Sequence, residues 1–188
     1  GQKAIIVADD NTWRVAGADA QRSLDEAGIV SYPAFVFPSE DFYAEWKHIE
    51  TLKAHLEPLD AIAIAVGSGV INDTVKYVSF LLGRKYMCVG TAASMDGFTA
   101  YGSSITKDGN KQTFDCPAPF GFVLDSAIAA EAPKELAASG YADLIAKIPA
   151  AADWMIADAV GSEKIDDFAW GLVQDGLSVI GHDDKGHG

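Results

Sequence analysis

The stretch AIAIAVGSGVIND, residues 61–73, decides the fold that we predict for this chain. Its first half is small and apolar without alternation, which is typical of a strand buried on both faces of a parallel sheet. Gly67 and Gly69 then allow the backbone to turn sharply and to approach a ligand closely. The helix predicted over 70–82 directs free N–H groups toward this turn, which favours a phosphate cradle. A plain strand-to-helix turn is an equal alternative, because the sequence lacks the full GxGxxG fingerprint.

Composition limits the class of protein. At 188 residues, with 49% hydrophobic and 22% charged residues, the chain suits one domain, or one domain plus part of another. The net charge of -13 argues against a nucleic-acid partner, because no basic stripe is present to displace counterions. No stretch is long and apolar enough for membrane insertion. Cys88 and Cys116 show neither metal-ligand nor disulfide spacing, so a reducing, cytoplasmic location is expected.

Strands and helices alternate along the first part of the chain. Strands are predicted at residues 3–9, 30–37, 61–67, 86–90 and 120–125, and a β-hairpin at 103–114. Pro33 places the second strand near a sheet edge. Asp10 or Asn11 is expected to cap the first helix, and Ser39 the second, which buries Phe42. This alternation predicts a Rossmann-like α/β fold with a parallel sheet as the middle of three layers.

The sequence becomes all-helical near residue 126. Helices are predicted at 128–136, 142–160 and 167–180, with a bend at Gly140. We therefore expect an α/β domain with a hairpin insertion over residues 1–126, followed by the first helices of an all-α domain over 127–188. Apolar faces that carry Ile148 and Leu172 have little to cover them, so we expect dimerisation or local looseness in this part.

Four motifs together resemble a known family: VADDNTW at 7–13, GSGVINDTVKY at 67–77, TAASMDGFTA at 91–100 and AEAPKELAASGYADLIAK at 130–147. The set is similar to the sn-glycerol-1-phosphate dehydrogenases, within the superfamily of iron-containing alcohol dehydrogenases, glycerol dehydrogenase and dehydroquinate synthase. The resemblance implies an N-terminal nucleotide-binding domain and an all-helical metal domain with the active site between them. It further implies NAD or NADP as cofactor, and a small polyol phosphate as substrate, in the interconversion of dihydroxyacetone phosphate and sn-glycerol 1-phosphate.

Matching motif to motif assigns the cofactor contacts. The residues implied are Asp9, Gly67, Ser68, Gly69, Asn72, Asp73, Thr91, Ser94 and Lys111. Asp9 would accept hydrogen bonds from ribose hydroxyls, and the glycine turn would face the pyrophosphate. Ordinary alternatives stay open: an exposed acid at a strand end for Asp9, helix caps for Asn72 and Asp73, turn hydroxyls for Thr91 and Ser94, and a solvated lysine for Lys111.

The same matching assigns the chemistry. Asp96 would orient the polyol, although an Asp-Gly pair is often only a turn. Asp143 matches the family's metal-binding aspartate, and its alternative is a helix N-cap. Lys147, one turn further on the same face, would meet a substrate phosphate or pair with Asp143. Zinc is the favoured ion, with nickel and iron as alternatives.

The histidines depart from the family pattern. The family's other two metal ligands are histidines on later helices, and the sequence as given stops before such a segment. His48, His55, His182 and His187 lie in other contexts, so we interpret them as non-ligands. We therefore expect a fragment of the dehydrogenase with weak metal affinity. A non-catalytic dinucleotide-binding module and a dehydroquinate synthase-like lyase are the alternatives.

Overall fold

The structure is a computed structural model that describes residues 3–180, in the last helix without the side chains of 175, 176 and 178–180. The strands described are β1 (Lys3–Asp9), β2 (Phe35–Phe37), β3 (Ala61–Gly67), β4 (Tyr86–Gly90), β5 (Ser103–Lys107), β6 (Asn110–Phe114) and β7 (Gly121–Leu124). The α-helices are α1 (Asp10–Thr12), α2 (Ala18–Glu26), α3 (Trp46–Leu56), α4 (Gly69–Leu81), α5 (Ser126–Glu131), α6 (Lys134–Ile145), α7 (Lys147–Ala159) and α8 (Asp167–Ile180). A π-helical segment (Trp13–Gly17) joins α1 to α2.

Five strands form a parallel sheet in the order β2-β1-β3-β4-β7. Strand β2 lies at one edge, as predicted, but it covers only Phe35–Phe37 of the strand predicted at 30–37. From β1 the chain moves outward to β2, then returns to place β3 on the other side of β1. The direction of strand order therefore reverses between β1 and β3, which is where open α/β sheets bind ligands. The predicted Rossmann-like parallel sheet is confirmed.

The central strands β1 and β3 are buried on both faces of the sheet. Alternate residues of a strand point to opposite sides, and those of β1 enter two separate hydrophobic clusters. Ile5 and Val7 pack with residues of α3 and α4, whereas Ile6 packs with Ala16 and Ile64 on the other side. This arrangement accounts for the unbroken apolar runs of β1 and β3.

Helix α3, the second helix predicted from the sequence, begins later than expected. Ser39 is not a helix cap, because α3 begins only at Trp46. Asp41 has a φ of 57°, a left-handed conformation that a helix excludes. Ser39 instead donates its backbone N–H to Asp10 Oδ2, at 3.1 Å. Phe42 is buried as expected, but it stacks on Phe37 from a loop, with ring centroids 4.3 Å apart.

The helix predicted over 142–160 is also different. It consists of two helices, α6 and α7, that meet at Ala146. Pro149 explains the break, because it has no N–H to offer the carbonyl of Ile145 and its ring would clash there. Gly140 lies inside α6, not at a bend before a long helix. Ile148 and Leu172 are exposed, in line with the apolar faces noted in the sequence, and dimerisation stays a prediction.

Helix α4 buries polar side chains that fix the following loop. Asn72 is fully buried, accepts a hydrogen bond from the Tyr86 hydroxyl at 3.0 Å, and donates to Phe98 O at 3.2 Å. Lys76 is also buried, and its Nζ donates to the backbone oxygens of Ala100 at 2.9 Å and Gly102 at 3.0 Å. The loop is thereby held against α4. None of the described helices is long and apolar enough to cross a membrane.

Tyr86→Phe tests this buried network. The variant leaves Asn72 Oδ1 without its donor in a site that water does not reach, so we expect a loss of about 1–3 kcal/mol in the free energy of unfolding. Tyr77→Phe is the matched control, since the Tyr77 hydroxyl bonds no described residue. Urea denaturation of both variants measures the difference. Equal losses would show that the Asn72–Tyr86 hydrogen bond does not stabilise the fold.

Candidate functional site

A cleft of about 580 Å³ opens where the strand order reverses. Its floor is formed by residues at or just after the carboxyl ends of strands: Asp9 from β1, Ser68 after β3 and Thr91 after β4. Pro133 and Leu136, at the start of α6, form the opposite wall. We call this space the switch-point cleft. It joins predicted cofactor residues that are far apart in sequence.

Asp9 has two roles in this cleft. Its Oδ1 accepts hydrogen bonds from the N–H groups of Asn11 at 2.8 Å and Thr12 at 2.9 Å, so Asp9 itself is the N-cap of α1. The expected caps, Asp10 and Asn11, are therefore wrong by one or two positions. Ser39 Oγ also donates to Oδ1, at 3.2 Å. Oδ2 bonds no described residue, which leaves it as an acceptor for a ligand.

The two glycines of the turn serve different purposes. A Cβ on Gly67 would lie 2.8 Å from Ile71 Cβ, so this position requires glycine for packing against α4. A Cβ on Gly69 would lie 3.3 Å from Met95 Sδ, at the surface of a second cleft. Ser68 is the N-cap residue of α4 but makes no side-chain capping bond. Acceptors for the first N–H groups of α4 must come from elsewhere, as an anion would provide.

The second cleft measures about 640 Å³ and lies between α4, the loop after β4 and the hairpin. We call it the hairpin cleft. Five of the predicted site residues line it: Gly69, Asp73, Ser94, Lys111 and Asp143. Asp73 Oδ2 accepts the Ser104 N–H at 3.2 Å, and burial raises the pKa of the Asp73 carboxyl. Asn72 belongs to neither cleft because it is fully buried in the core.

Asp96, Asp143 and Lys147 lie together beside these clefts. Lys147 Nζ is 2.9 Å from Asp96 Oδ2 and 3.9 Å from Asp143 Oδ1. The backbone N–H of Asp96 donates to Asp143 Oδ2 at 3.0 Å, and this bond is the main cause of a lowered pKa at Asp143. Asp143 stands in the last turn of α6, so the N-cap alternative for it is wrong. The predicted pairing of Lys147 with Asp143 is present but longer than its pairing with Asp96.

Comparison with known proteins identifies the family. The model of the family described as iron-containing alcohol dehydrogenase matches residues 1–133. This chain belongs to that family. Among curated relatives, glycerol-1-phosphate dehydrogenase [NAD(P)+] of Bacillus subtilis (strain 168) is 31% identical over 180 residues, which are 95% of this chain and 46% of the relative. The protein of that name from Methanoculleus marisnigri is 34% identical over 172 residues, 90% of this chain and 45% of the relative.

Solved structures of the iron-containing alcohol dehydrogenase type share the fold. The iron-containing alcohol dehydrogenase from Thermotoga maritima aligns with a TM-score of 0.67 and 18% identity, over 77% of this chain and 45% of that one. Glycerol dehydrogenase from Schizosaccharomyces pombe aligns with a TM-score of 0.65 and 23% identity, over 76% of this chain and 36% of that one. The chain spans about half the length of the curated relatives it matches.

The described residues do not by themselves complete a metal centre of the kind that the family's description implies. Among the side chains that the structure describes, no three from His, Cys, Asp or Glu lie close enough together to hold an ion. Asp143, the predicted ligand, accepts a hydrogen bond from Asp96 and faces Lys147. The ring of His48 packs against the rings of Phe37 and Phe42. His182 and His187 lie outside the described residues.

The titration of Asp73 can be tested through stability. Because burial raises its pKa in the folded state, Asp73 favours folding most below the ordinary carboxyl pKa, and this contribution is lost as pH rises through the raised value. Asp73→Asn keeps an oxygen for the Ser104 N–H and avoids the buried charge. We expect it to be more stable than wild type at pH 7, with a gain that shrinks toward about pH 4.

Urea denaturation at the two pH values measures this gain. Asp108→Asn is the control, because it removes the same charge from the exposed hairpin turn. A stability difference between Asp73→Asn and wild type that stays constant with pH would show that the Asp73 pKa is not raised by folding.

Proposed function

We propose that this chain provides the NAD(P)-binding part of a metal-assisted polyol-phosphate dehydrogenase, which interconverts dihydroxyacetone phosphate and sn-glycerol 1-phosphate. One observation carries the proposal: the acid-ended strand β1 and the glycine turn after β3 open onto the same cleft, at the reversal of strand order. The curated relatives named glycerol-1-phosphate dehydrogenase [NAD(P)+] support the cofactor and the substrate class.

The path of a bound dinucleotide follows from neighbouring residues. Ser68 lines the switch-point cleft and Gly69 lines the hairpin cleft, so the two spaces meet at the glycine turn. Asp9 Oδ2 would accept hydrogen bonds from ribose hydroxyls in the switch-point cleft. The N–H groups of Val70 and Ile71 would bind the pyrophosphate at the glycine turn. When bound, the nicotinamide supplies the hydride chemistry. These residues bind and orient it.

The hairpin cleft has the polar groups that a polyol phosphate requires. The Lys111 ammonium, together with the hydroxyls of Ser104 and Thr106, suits a phosphate, whereas Asp73 and Asp143 can accept hydrogen bonds from substrate hydroxyls. Lys111 and Thr106 are register partners across the hairpin, so these two donors are held side by side. The substrate would therefore lie between the hairpin and α6.

Further parts of the proposal come from the sequence. Residues 1–126 would bind the nucleotide, and 127–188 would begin the metal and substrate domain. Zinc is the proposed ion, with nickel and iron as alternatives, and Asp143 is its proposed ligand. The name of the curated relatives, [NAD(P)+], covers both NAD and NADP as the proposed cofactor. A cytoplasmic location and a homodimer stay predictions.

One observation favours the alternative, a dinucleotide-binding module without redox activity. Lys147 already supplies a positive charge to Asp96 and to Asp143, where the family resemblance implies a metal ion. Oxidation of NADH by dihydroxyacetone phosphate, measured with and without added zinc, separates the two functions. Turnover supports the dehydrogenase, whereas saturable NADH binding without turnover supports the module.

Gly69→Val tests the cradle directly. The valine side chain would lie against Met95, where the two clefts meet, and would obstruct the approach of a pyrophosphate. We expect the Kd for NADH, measured by fluorescence titration, to rise at least about tenfold, since each 1.4 kcal/mol of lost binding energy is a factor of ten.

Gly171→Val is the matched control, because a Cβ at Gly171 in α8 would meet no atom within 4 Å. It should bind NADH as wild type does. An unchanged Kd for Gly69→Val would remove the glycine turn from the cofactor site, and wild type that does not bind NADH would overturn the proposed function.

A further inference from the structure

Helix α6 contacts the loop after β4 at two adjacent points, one steric and one electrostatic. We propose that Lys147 is a positioning residue: with Asp96 and Asp143 it latches α6 to this loop and so fixes the far wall of the switch-point cleft. The consequence for cofactor affinity rests on the proposed function, whereas the latch itself does not.

The steric point is Gly140. This glycine is buried in α6, and a Cβ there would lie 2.0 Å from the backbone oxygen of Ala93. Because the obstacle is a backbone atom, no rotation of a side chain could relieve the overlap. The backbones of α6 and the loop therefore approach each other closely only while residue 140 has no side chain.

The electrostatic point lies one turn further along the chain. Asp143 accepts the Asp96 N–H at 3.0 Å, and Lys147 Nζ lies 2.9 Å from Asp96 Oδ2. Lys147 also donates to the backbone oxygen of Asp143, at 3.3 Å. The ammonium thus bonds the loop and the end of α6 at once. Since all three side chains are one-third or more exposed, each contact is weak alone, and together they act on one helix.

The cleft wall is part of the same helix. Leu136 precedes Gly140 by one helical turn, so both lie on one face of α6. Leu136 lines the switch-point cleft opposite Thr91 and Ala92, and Ala92 is the neighbour of Ala93, which Gly140 contacts. Displacement of α6 from the loop would therefore move Leu136 away from the floor of the cleft.

Of the two roles predicted for Lys147, this geometry supports pairing with Asp143 over contact with a substrate phosphate. The side chain of Lys147 lines neither the switch-point cleft nor the hairpin cleft, so it does not face a phosphate in either. It acts through Asp96 instead. A positive charge at this position holds two carboxylate-bearing segments together, which explains why Lys147 follows Asp143 by one turn.

Hydrogen exchange and NADH titration of the whole chain test the latch. Lys147→Met removes the charge, and we expect the amides of α6 to exchange about two- to fivefold faster, the factor that a partly exposed ion pair supplies. Lys147→Arg keeps the charge and the reach to Asp96, so it should restore protection. Lys164→Met is the matched control, because Lys164 is exposed and its side chain has no ion pair among the described residues.

Gly140→Ala separates the latch from helix stability. Alanine favours a helix over glycine, so α6 itself is strengthened while its approach to Ala93 is blocked. We expect the Kd for NADH to rise at least about tenfold. An increase of that size results when α6 lies against the loop in only about a tenth of the molecules, because only those molecules bind NADH well. A far-UV circular dichroism spectrum equal to that of wild type shows that the helices are retained.

The outcomes are distinct. Exchange in Lys147→Met equal to that in Lys164→Met would overturn the latch, as would failure of Lys147→Arg to restore protection. Unchanged NADH affinity in Gly140→Ala would overturn the link between α6 and the cleft. If wild type does not bind NADH, the proposed function and its affinity consequence fall, and the exchange comparison still decides the latch.

Discussion

The buried ammonium of Lys76 fixes the loop that leads into the hairpin against helix α4. A charge taken out of water is costly unless its donors are bonded, and Lys76 meets this requirement with two backbone oxygens of the loop that leads into the hairpin. The loop must therefore keep one conformation as long as α4 is in place. Since α4 also begins at the glycine turn, one helix sets the positions of this turn and of the hairpin that faces it.

At the carboxyl edge of the sheet, single residues both hold the fold together and line the cleft. Asp9 must cap α1, because the first N–H groups of a helix have no partners within it. One carboxylate oxygen is sufficient for the cap, so the other stays available at the reversal of strand order. Thr91 is similar: its backbone N–H donates to Gly67 O at 3.2 Å, which ties β4 to the end of β3, while the residue lines the cleft.

A feature of this chain could be predicted from sequence when the residues that determine it are neighbours in the chain, and not when they are far apart. Buried strands and the glycine turn depend on neighbouring residues, and they were predicted almost to their bounds. Ser39 failed as a cap because its bonding to Asp10 and the left-handed Asp41 depend on tertiary contacts. The break at Ala146 was readable from Pro149 but was missed. The meeting of Asp96 with Asp143 spans 47 positions, so only the family resemblance placed both near one site, and their hydrogen bond had no local signal.

Net charge and local charge lead to different expectations for an anionic ligand here. A chain of net charge -13 repels phosphates at long range, but charges separated by more than about 8 Å are screened at physiological ionic strength. The groups at the clefts therefore matter most. Lys147 offsets the charge of Asp96, and burial favours the protonated form of Asp73. The helix N-terminus at Ser68 adds positive potential without a basic residue. An acidic protein can thus offer an anion local positive potential at the N-terminus of α4, although the carboxylate of Asp9 lies in the same cleft.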